Sequence, residues 1–252
     1  VVLSSAAIYA PSHQHPGLLR EDTFLADGLS PIADDWRAFE GLAAQIGDRS
    51  GAQPPVRTVL RPAAVLDGTG YFSRLLTGRV AITYPGHDPT MQFLSPGDLA
   101  TAVVAAVERP TSGVFNVAPA CGIPLRKALR TAGVRRLPLG RLAQNAVRTV
   151  ASGASLAAPP GQVRFLQYCW TVSGQRIRDE LGFVPAQTSE DAIRELTGRT
   201  VAPRGEYDEF GMDAPYIRRY CGHLFGLLHD RYWRVELAGV EHVPAAGPGV
   251  LV

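Results

Sequence analysis

Two adjacent serines follow an uncharged, apolar run at the start of the sequence. The stretch is Val1-Val2-Leu3-Ser4-Ser5-Ala6-Ala7-Ile8-Tyr9, and its composition predicts a central strand that is buried on both faces of a parallel sheet. Ligands in open α/β sheets bind at the carboxyl ends of the strands. Ser4 and Ser5 would lie at that end, where a hydroxyl can hydrogen-bond a ligand. The alternative is structural, because serines at the end of an element often bond to the nearby backbone.

The overall composition indicates a chain with a packed core and excludes several classes of partner. Its 252 residues are 46% hydrophobic and 19% charged, which is enough for one large α/β domain, or for one domain and part of another. The net charge of +2 argues against nucleic acid or an anionic membrane surface as a partner. The cysteines, Cys121, Cys169 and Cys221, are far apart, which indicates reduced thiols in a cytoplasmic protein and no metal site. We find neither a signal peptide nor an apolar run of membrane-spanning length in the sequence.

Helical and strand-like patterns alternate along the first 196 residues, which predicts a parallel sheet with crossover helices. The predicted strands after the first are 56–61, 80–84, 91–94, 113–118 and 163–172. The predicted helices are 33–46, 71–76, 99–107, 173–181 and 188–196, with Gly182 and Thr188 as caps. The stretch 122–161 reads as helical and basic, and we interpret it as a solvated face rather than an anion site.

Several stretches in this order resemble the later half of an extended short-chain dehydrogenase/reductase, of the NAD-dependent epimerase/dehydratase group. Besides the first nine residues they are Leu60-Arg61-Pro62-Ala63-Ala64-Val65, Gln92-Phe93-Leu94-Ser95-Pro96-Gly97-Asp98-Leu99-Ala100, Gly113-Val114-Phe115-Asn116-Val117-Ala118 and 177–185. The resemblance implies a Rossmann-like α/β fold with a small C-terminal substrate lobe. It also implies NAD or NADP as cofactor and a small-molecule substrate, such as a sugar nucleotide or a lipid-linked alcohol or ketone. The Gly-rich phosphate loop of that fold is not in this sequence.

The catalytic pattern departs from the family. Family members use a serine, which Ser5 matches, and a Tyr-x-x-x-Lys pair, in which the tyrosine is the acid/base. With Glu40 in register, the pair falls on Ile32 and Trp36, and neither can transfer a proton. Arg37 could mimic the charge of the lysine but not the tyrosine. Tyr9, which follows the first strand, is the other candidate for the acid/base.

The resemblance assigns further roles. Pro62 and Ala63 match the stretch whose backbone lies against the nicotinamide, so cofactor binding could survive the loss of the catalytic pair. The alternative is that Pro62 simply ends a strand. Family members often dimerise through the helix that carries the Tyr-Lys pair, which makes a homodimer possible here.

The tail carries a second resemblance. We predict a domain at 1–196, a linker at 197–209 and, at 210–252, the start of a glycerophospholipid acyltransferase. This last resemblance rests on Phe210-Gly211-Met212-Asp213, Tyr232-Trp233-Arg234-Val235 and 239–248. The H-x-x-x-x-D motif of those enzymes is absent, and His242 has no aspartate at the required spacing. We therefore expect a fragment of a longer fusion protein with a possible peripheral link to lipid.

The sequence leaves three functions open. The first is an atypical NAD(P)-binding epimerase, dehydratase or reductase. The second is a non-catalytic nucleotide-sensing or scaffold domain. The third is acyl transfer by a longer protein to which this part is accessory.

Overall fold

A three-stranded parallel sheet forms the centre of the computed structural model, which describes residues 1–24, 28–48, 56–140 and 160–198. Strand β1 (Val2–Leu3) pairs with β2 (Thr58–Pro62), which pairs on its other side with β7 (Gly113–Val117). Every residue of β2 is buried, including the polar Thr58 and the charged Arg61, as its central position between two parallel strands requires. The fold class is therefore α/β with a parallel sheet, as predicted.

Short strand pairs extend the fold beyond this sheet. They are β3 (Ala64–Val65) with β6 (Phe93–Leu94), β4 (Val80–Thr83) with β9 (Arg135–Pro138), and β5 (Thr90–Met91) with β8 (Ile123–Pro124). The first two pairs are parallel and the third is antiparallel. The predicted strand at 91–94 is thus two short strands that belong to different pairs.

The described helices surround these strands. They are α1 (Pro31–Asp48), α2 (Tyr71–Thr77), α3 (Pro96–Glu108), α4 (Leu125–Ala132), α5 (Gln175–Leu181) and α6 (Ser189–Thr197). Two 3₁₀ helices, Ala6–Tyr9 and Pro160–Leu166, complete the described elements. None of the described helices combines the length and apolarity needed to span a bilayer.

The caps predicted from sequence are confirmed. Thr188 caps α6 in a reciprocal capping box with Asp191, and Gly182 ends α5 in the left-handed conformation at φ 69°. Helix α3 is capped by Ser95, whose Oγ accepts the backbone N–H of Asp98. The Asp98 carboxylate in turn accepts the backbone N–H groups of Ala186 and Gln187. Asp98 therefore ties the loop between α5 and α6 to α3.

Three predicted elements were wrong in type or extent. The first strand ends at Leu3, because Ser5 caps a 3₁₀ helix over Ala6–Tyr9. Within 122–161 the described helix ends at Ala132, because Gly133 adopts the left-handed conformation, and β9 follows. The predicted strand at 163–172 begins as a 3₁₀ helix and makes only isolated bridges at Trp170 and Val172. Residues 141–159, the linker and the tail lie outside the described residues.

Two apolar clusters stabilise the fold. The smaller one joins the sheet to the helices on one side, with Leu60 and Phe115 of the sheet against Ala102 of α3 and Ile177 of α5. The larger one contains the 3₁₀ helix Ala6–Tyr9, α2 and α4, with Phe93 and Trp170 among its buried side chains. The residues that follow β1 therefore enter the larger core directly, which fixes the end of that strand.

Candidate functional site

Ser5 lies just beyond the end of β1 and on the wall of a cavity. Its side chain also bonds to the nearby backbone. Its Oγ accepts the backbone N–H of Ala7 at 3.1 Å and so caps the 3₁₀ helix. The same residue lines a cavity of about 910 Å³. The local cap is the structural interpretation of Ser5, and its role towards a ligand stays a prediction, since the bond to Ala7 occupies an acceptor lone pair and leaves the hydroxyl proton free to donate.

The cavity brings together most of the residues singled out from the sequence. Its lining includes Ser5, Pro62, Ala63, Ile32 and Trp36. Pro62 ends β2 and Ala63 follows it, so the ends of two neighbouring parallel strands meet there, as expected for a ligand site in an open α/β sheet. Its size is within the range of ordinary small-molecule sites.

Ile32 and Trp36 project from the first turns of α1 and form an apolar part of this wall. Ile32 packs closely against the 3₁₀ helix Pro160–Leu166, where a Cβ on Gly161 would lie 3.0 Å from the Ile32 Cδ1 atom. The Trp36 ring meets Phe39 edge to face, with ring centroids 5.6 Å apart. Arg37, the candidate substitute for a lysine, forms an ion pair with Asp34 at 3.0 Å and is not part of the lining.

Tyr9 lies in a buried polar cluster rather than on the cavity wall. It is 1% exposed and is not among the lining residues. Its hydroxyl donates to Asn116 Oδ1 at 2.8 Å and accepts from Arg61 Nη1 at 2.9 Å. Burial raises the pKa of the Tyr9 hydroxyl, and the neighbouring Arg61 charge opposes this only in part. The structure thus brings Ser5, Pro62 and Ala63 together and does not bring the Tyr9 hydroxyl to them.

A buried ion pair continues this cluster towards Ser4. Arg61 donates to Glu40 through Nε at 2.8 Å and through Nη2 at 2.7 Å, and Ser4 Oγ donates to the same carboxylate at 2.5 Å. The Arg61 side chain is 6% exposed and that of Glu40 is 15% exposed. The bonds therefore link α1, β2 and the end of β1 behind the cavity. A single charged residue within a fully buried strand is the sequence signal that points to Arg61.

Glu40 should make unfolding of the protein sensitive to acid. Burial acts to raise the pKa of this carboxyl, but the hydrogen bonds from Arg61 and Ser4 and the Arg61 charge outweigh it and hold the pKa below its usual value. The pair then contributes stability above the unfolded-state pKa of about 4.3, and the contribution is lost as pH falls through the lower folded-state pKa. We expect Glu40→Gln to remove this part of the acid dependence. Urea titrations of the wild-type protein and of Glu40→Gln between about pH 7 and pH 3 measure this dependence. The difference in unfolding free energy between the two proteins should narrow as the pH falls, and a difference that stays constant would contradict the prediction.

Three aromatic side chains form another part of the lining. Phe72, Phe165 and Trp170, which we call the aromatic wall, all line the cavity. Phe165 and Trp170 meet edge to face with centroids 4.9 Å apart, and Phe72 lies nearly parallel to Trp170 at 6.4 Å. The Trp170 indole donates to the carbonyl of Ala6 at 3.0 Å. The aromatic wall is thereby tied to the 3₁₀ helix that Ser5 caps.

The fold is similar to that of several solved structures. One is MoeE5 in complex with UDP-glucuronic acid and NAD, with a TM-score of 0.59 and 20% identity over 79% of this chain and 64% of that one. A second is UDP-glucose 4-epimerase from Thermotoga maritima, with a TM-score of 0.56 and 17% identity over 78% of this chain and 61% of that one. A third is RMD from Pseudomonas aeruginosa complexed with NADPH, with a TM-score of 0.56 and 16% identity over 78% and 64%.

These likenesses show the fold alone, which is a Rossmann-like α/β fold. The chain spans less than two thirds of the length of each of these three proteins. No family model and no curated protein matches the sequence.

Proposed function

We propose that this chain is part of an NAD(P)-binding protein of the epimerase, dehydratase and reductase type that acts on a small molecule. The main support is the convergence of Ser5, Pro62 and Ala63 on one cavity at the ends of β1 and β2. These are the positions at which the resemblance expects the nicotinamide. The folds of proteins that are complexed with NAD and NADPH support it further.

The residues at the cavity fit the nicotinamide end of such a cofactor. Pro62 and Ala63 offer a flat, uncharged surface, and Ser5 offers a hydroxyl that can donate to a reacting oxygen. Bound NAD(P) supplies hydride exchange, which is the chemistry that the protein itself lacks. Ile32 and Trp36 hold no exchangeable acid/base proton, so the site is atypical. The acid/base role of Tyr9 stays a prediction, as do the choices between NAD and NADP and between a sugar nucleotide and a lipid-linked alcohol or ketone.

A non-catalytic nucleotide-sensing or scaffold domain is the second candidate. The specific observation in its favour is that the side chains at both Tyr-Lys positions are apolar and line the cavity. Such a domain would bind the cofactor without turning over a substrate. NADH oxidation with candidate ketones separates the two functions, because turnover above background would exclude the sensing function alone.

We expect the full-length protein to bind NADH or NADPH and Ser5→Ala to weaken the binding by about fivefold. The reason is the loss of one hydrogen bond of about 1 kcal/mol inside the cavity. Nicotinamide fluorescence or calorimetry measures the affinity. Binding of neither cofactor by the wild-type protein would overturn the proposed function.

Ser12→Ala is the matched control for Ser5→Ala. Ser12 Oγ also accepts a backbone N–H two residues ahead, from Gln14, but Ser12 does not line the cavity. Both substitutions remove a local cap of this kind, so both should lower stability slightly. Only the change at Ser5 should change the cofactor affinity, and equal losses would attribute the effect to folding.

Two further predictions concern the tail and self-association. The acyltransferase resemblance at 210–252 lies outside the described residues, and a fusion to such an enzyme with a peripheral lipid link remains a proposal. The proposed homodimer would use α1, on which Phe39 and Leu42 are 43% and 59% exposed. Sedimentation of the full-length protein tests the dimer.

A further inference from the structure

The cavity beside Ser5 is lined mainly by apolar side chains. The lining contains the aromatic wall of Phe72, Phe165 and Trp170, Ile32 and Trp36 of α1, and further aliphatic residues of α3. The α3 residues of the lining are Pro96, Leu99, Ala100, Val103 and Val104. Aromatic and aliphatic lining of a cavity of about 910 Å³ suits a ligand with a large apolar part.

Several polar side chains of the lining already bond to other parts of the protein. Ser4 Oγ donates to Glu40, and the Asp67 carboxylate accepts from Thr69 and Gly70 within its own turn. These two side chains therefore have little capacity left to bond a ligand.

Four lining residues, Ser5, Trp36, Tyr71 and Gln162, carry polar side-chain atoms that could bond a ligand, and Ser5 and Gln162 offer a complementary donor and acceptor. The Ser5 hydroxyl can donate, and Gln162 Oε1 is a buried acceptor without a hydrogen-bond partner among the described residues. Such an acceptor is costly unless something bonds to it. One donor and one acceptor match an alcohol, which can accept from Ser5 and donate to Gln162, and the donor alone matches a ketone oxygen.

The charge of the wall is the next constraint. Among the described residues that line the cavity there is no lysine or arginine. A nucleoside diphosphate sugar carries a pyrophosphate, which proteins bind with cationic side chains or with the N–H groups of a helix terminus. The described lining therefore supplies no cationic side chain to a pyrophosphate, which favours an uncharged substrate beside the nicotinamide end of the cofactor.

We infer that the cavity takes a long-chain apolar alcohol or ketone, whose oxygen lies at Ser5 and Gln162 and whose hydrocarbon part lies between Ile32, Trp36 and the aromatic wall. This rests on the proposed function, because the ligand and the nicotinamide would share the Ser5 end of the cavity. The apolar side chains at the Tyr-Lys positions are then a binding surface for the substrate.

A chain-length series tests the inference on the full-length protein. The probes are 1-hexanol, 1-octanol and 1-decanol, with UDP-glucose as the polar competitor, and the readout is calorimetry with and without saturating NADH. Each added methylene that enters the cavity should tighten binding about threefold to fourfold. UDP-glucose should not displace 1-decanol. Affinities that do not rise with chain length, or displacement by UDP-glucose, would overturn it.

Two variants separate the cavity from a general apolar surface. Ile32→Asn places an amide on the cavity wall and should weaken 1-decanol binding about tenfold. Val107→Asn changes a 61% exposed position of α3 outside the lining and should leave the affinity unchanged. Ile32→Thr replaces Ile32→Asn in this test if Ile32→Asn fails to fold. Equal weakening by the changes at Ile32 and Val107 would contradict the inference.

The failure of this inference and that of the proposed function are distinguishable. NADH binding without a chain-length effect would remove the apolar ligand and keep the cofactor. A chain-length effect without binding of NADH or NADPH would remove the proposed function and keep the apolar site.

Discussion

Replacing Glu40 by alanine is expected to lower the free energy of unfolding by about 3–5 kcal/mol. The change leaves the Arg61 guanidinium, which is 6% exposed, without its two bonds of 2.7 and 2.8 Å to carboxylate oxygens. It also removes the acceptor of the Ser4 hydroxyl. A buried charge without its partner is costly because neither water nor another side chain replaces the lost interaction. Urea unfolding at pH 7 measures the loss.

A double-mutant cycle isolates the pair. Arg61→Met with Glu40→Ala removes both charges, so the double variant should be more stable than the sum of the two single losses predicts. Glu180→Ala is the exposed control, since Glu180 pairs with Arg176 at 2.8 Å on the surface of α5 and should cost at most about 0.5 kcal/mol. A loss at Glu40 as small as that at Glu180 would mean that the pair is not desolvated.

The central sheet could be predicted because its signals are local. The run before Ser4 is apolar and uninterrupted, and the stretch that contains Leu60 is rich in β-branched and aliphatic residues and ends at Pro62, and such patterns predict buried strands. The caps of α5 and α6 are equally local, because Gly182 and Thr188 act on their own turns. Sequence therefore located the strand ends at which Ser5 and Pro62 meet.

The polar cluster behind the cavity could not be predicted in the same way. Tyr9 and Asn116 are 107 positions apart, and Glu40 and Arg61 are 21 positions apart, so each bond depends on how the elements pack. The same holds for the 3₁₀ helix Pro160–Leu166, whose apolar residues resemble a strand until Phe165 and Trp170 meet in the core. The position of the Tyr9 hydroxyl depended on these non-local contacts.

The contact between the aromatic wall and the 3₁₀ helix makes Trp170 the other position with a large expected effect. Trp170 is 3% exposed, packs against Phe72 and Phe165, and donates its indole N–H to the carbonyl of Ala6. We expect Trp170→Ala to cost about 3–5 kcal/mol of unfolding free energy, since it leaves a void and an unpaired carbonyl. Thermal and urea unfolding measure the loss.

Trp170→Phe separates packing from the hydrogen bond. It keeps an aromatic ring but leaves the Ala6 carbonyl unpaired, so we expect about half of the loss found for Trp170→Ala. The carbonyl belongs to the helix that Ser5 caps, and NADH affinity should therefore fall in Trp170→Phe even where the protein remains folded. Phe24→Ala is the control, because Phe24 is 83% exposed and its removal should change stability by no more than about 0.5 kcal/mol. Equal losses at Phe24 and Trp170 would show that Trp170 does not stabilise the Ser5 end of the cavity.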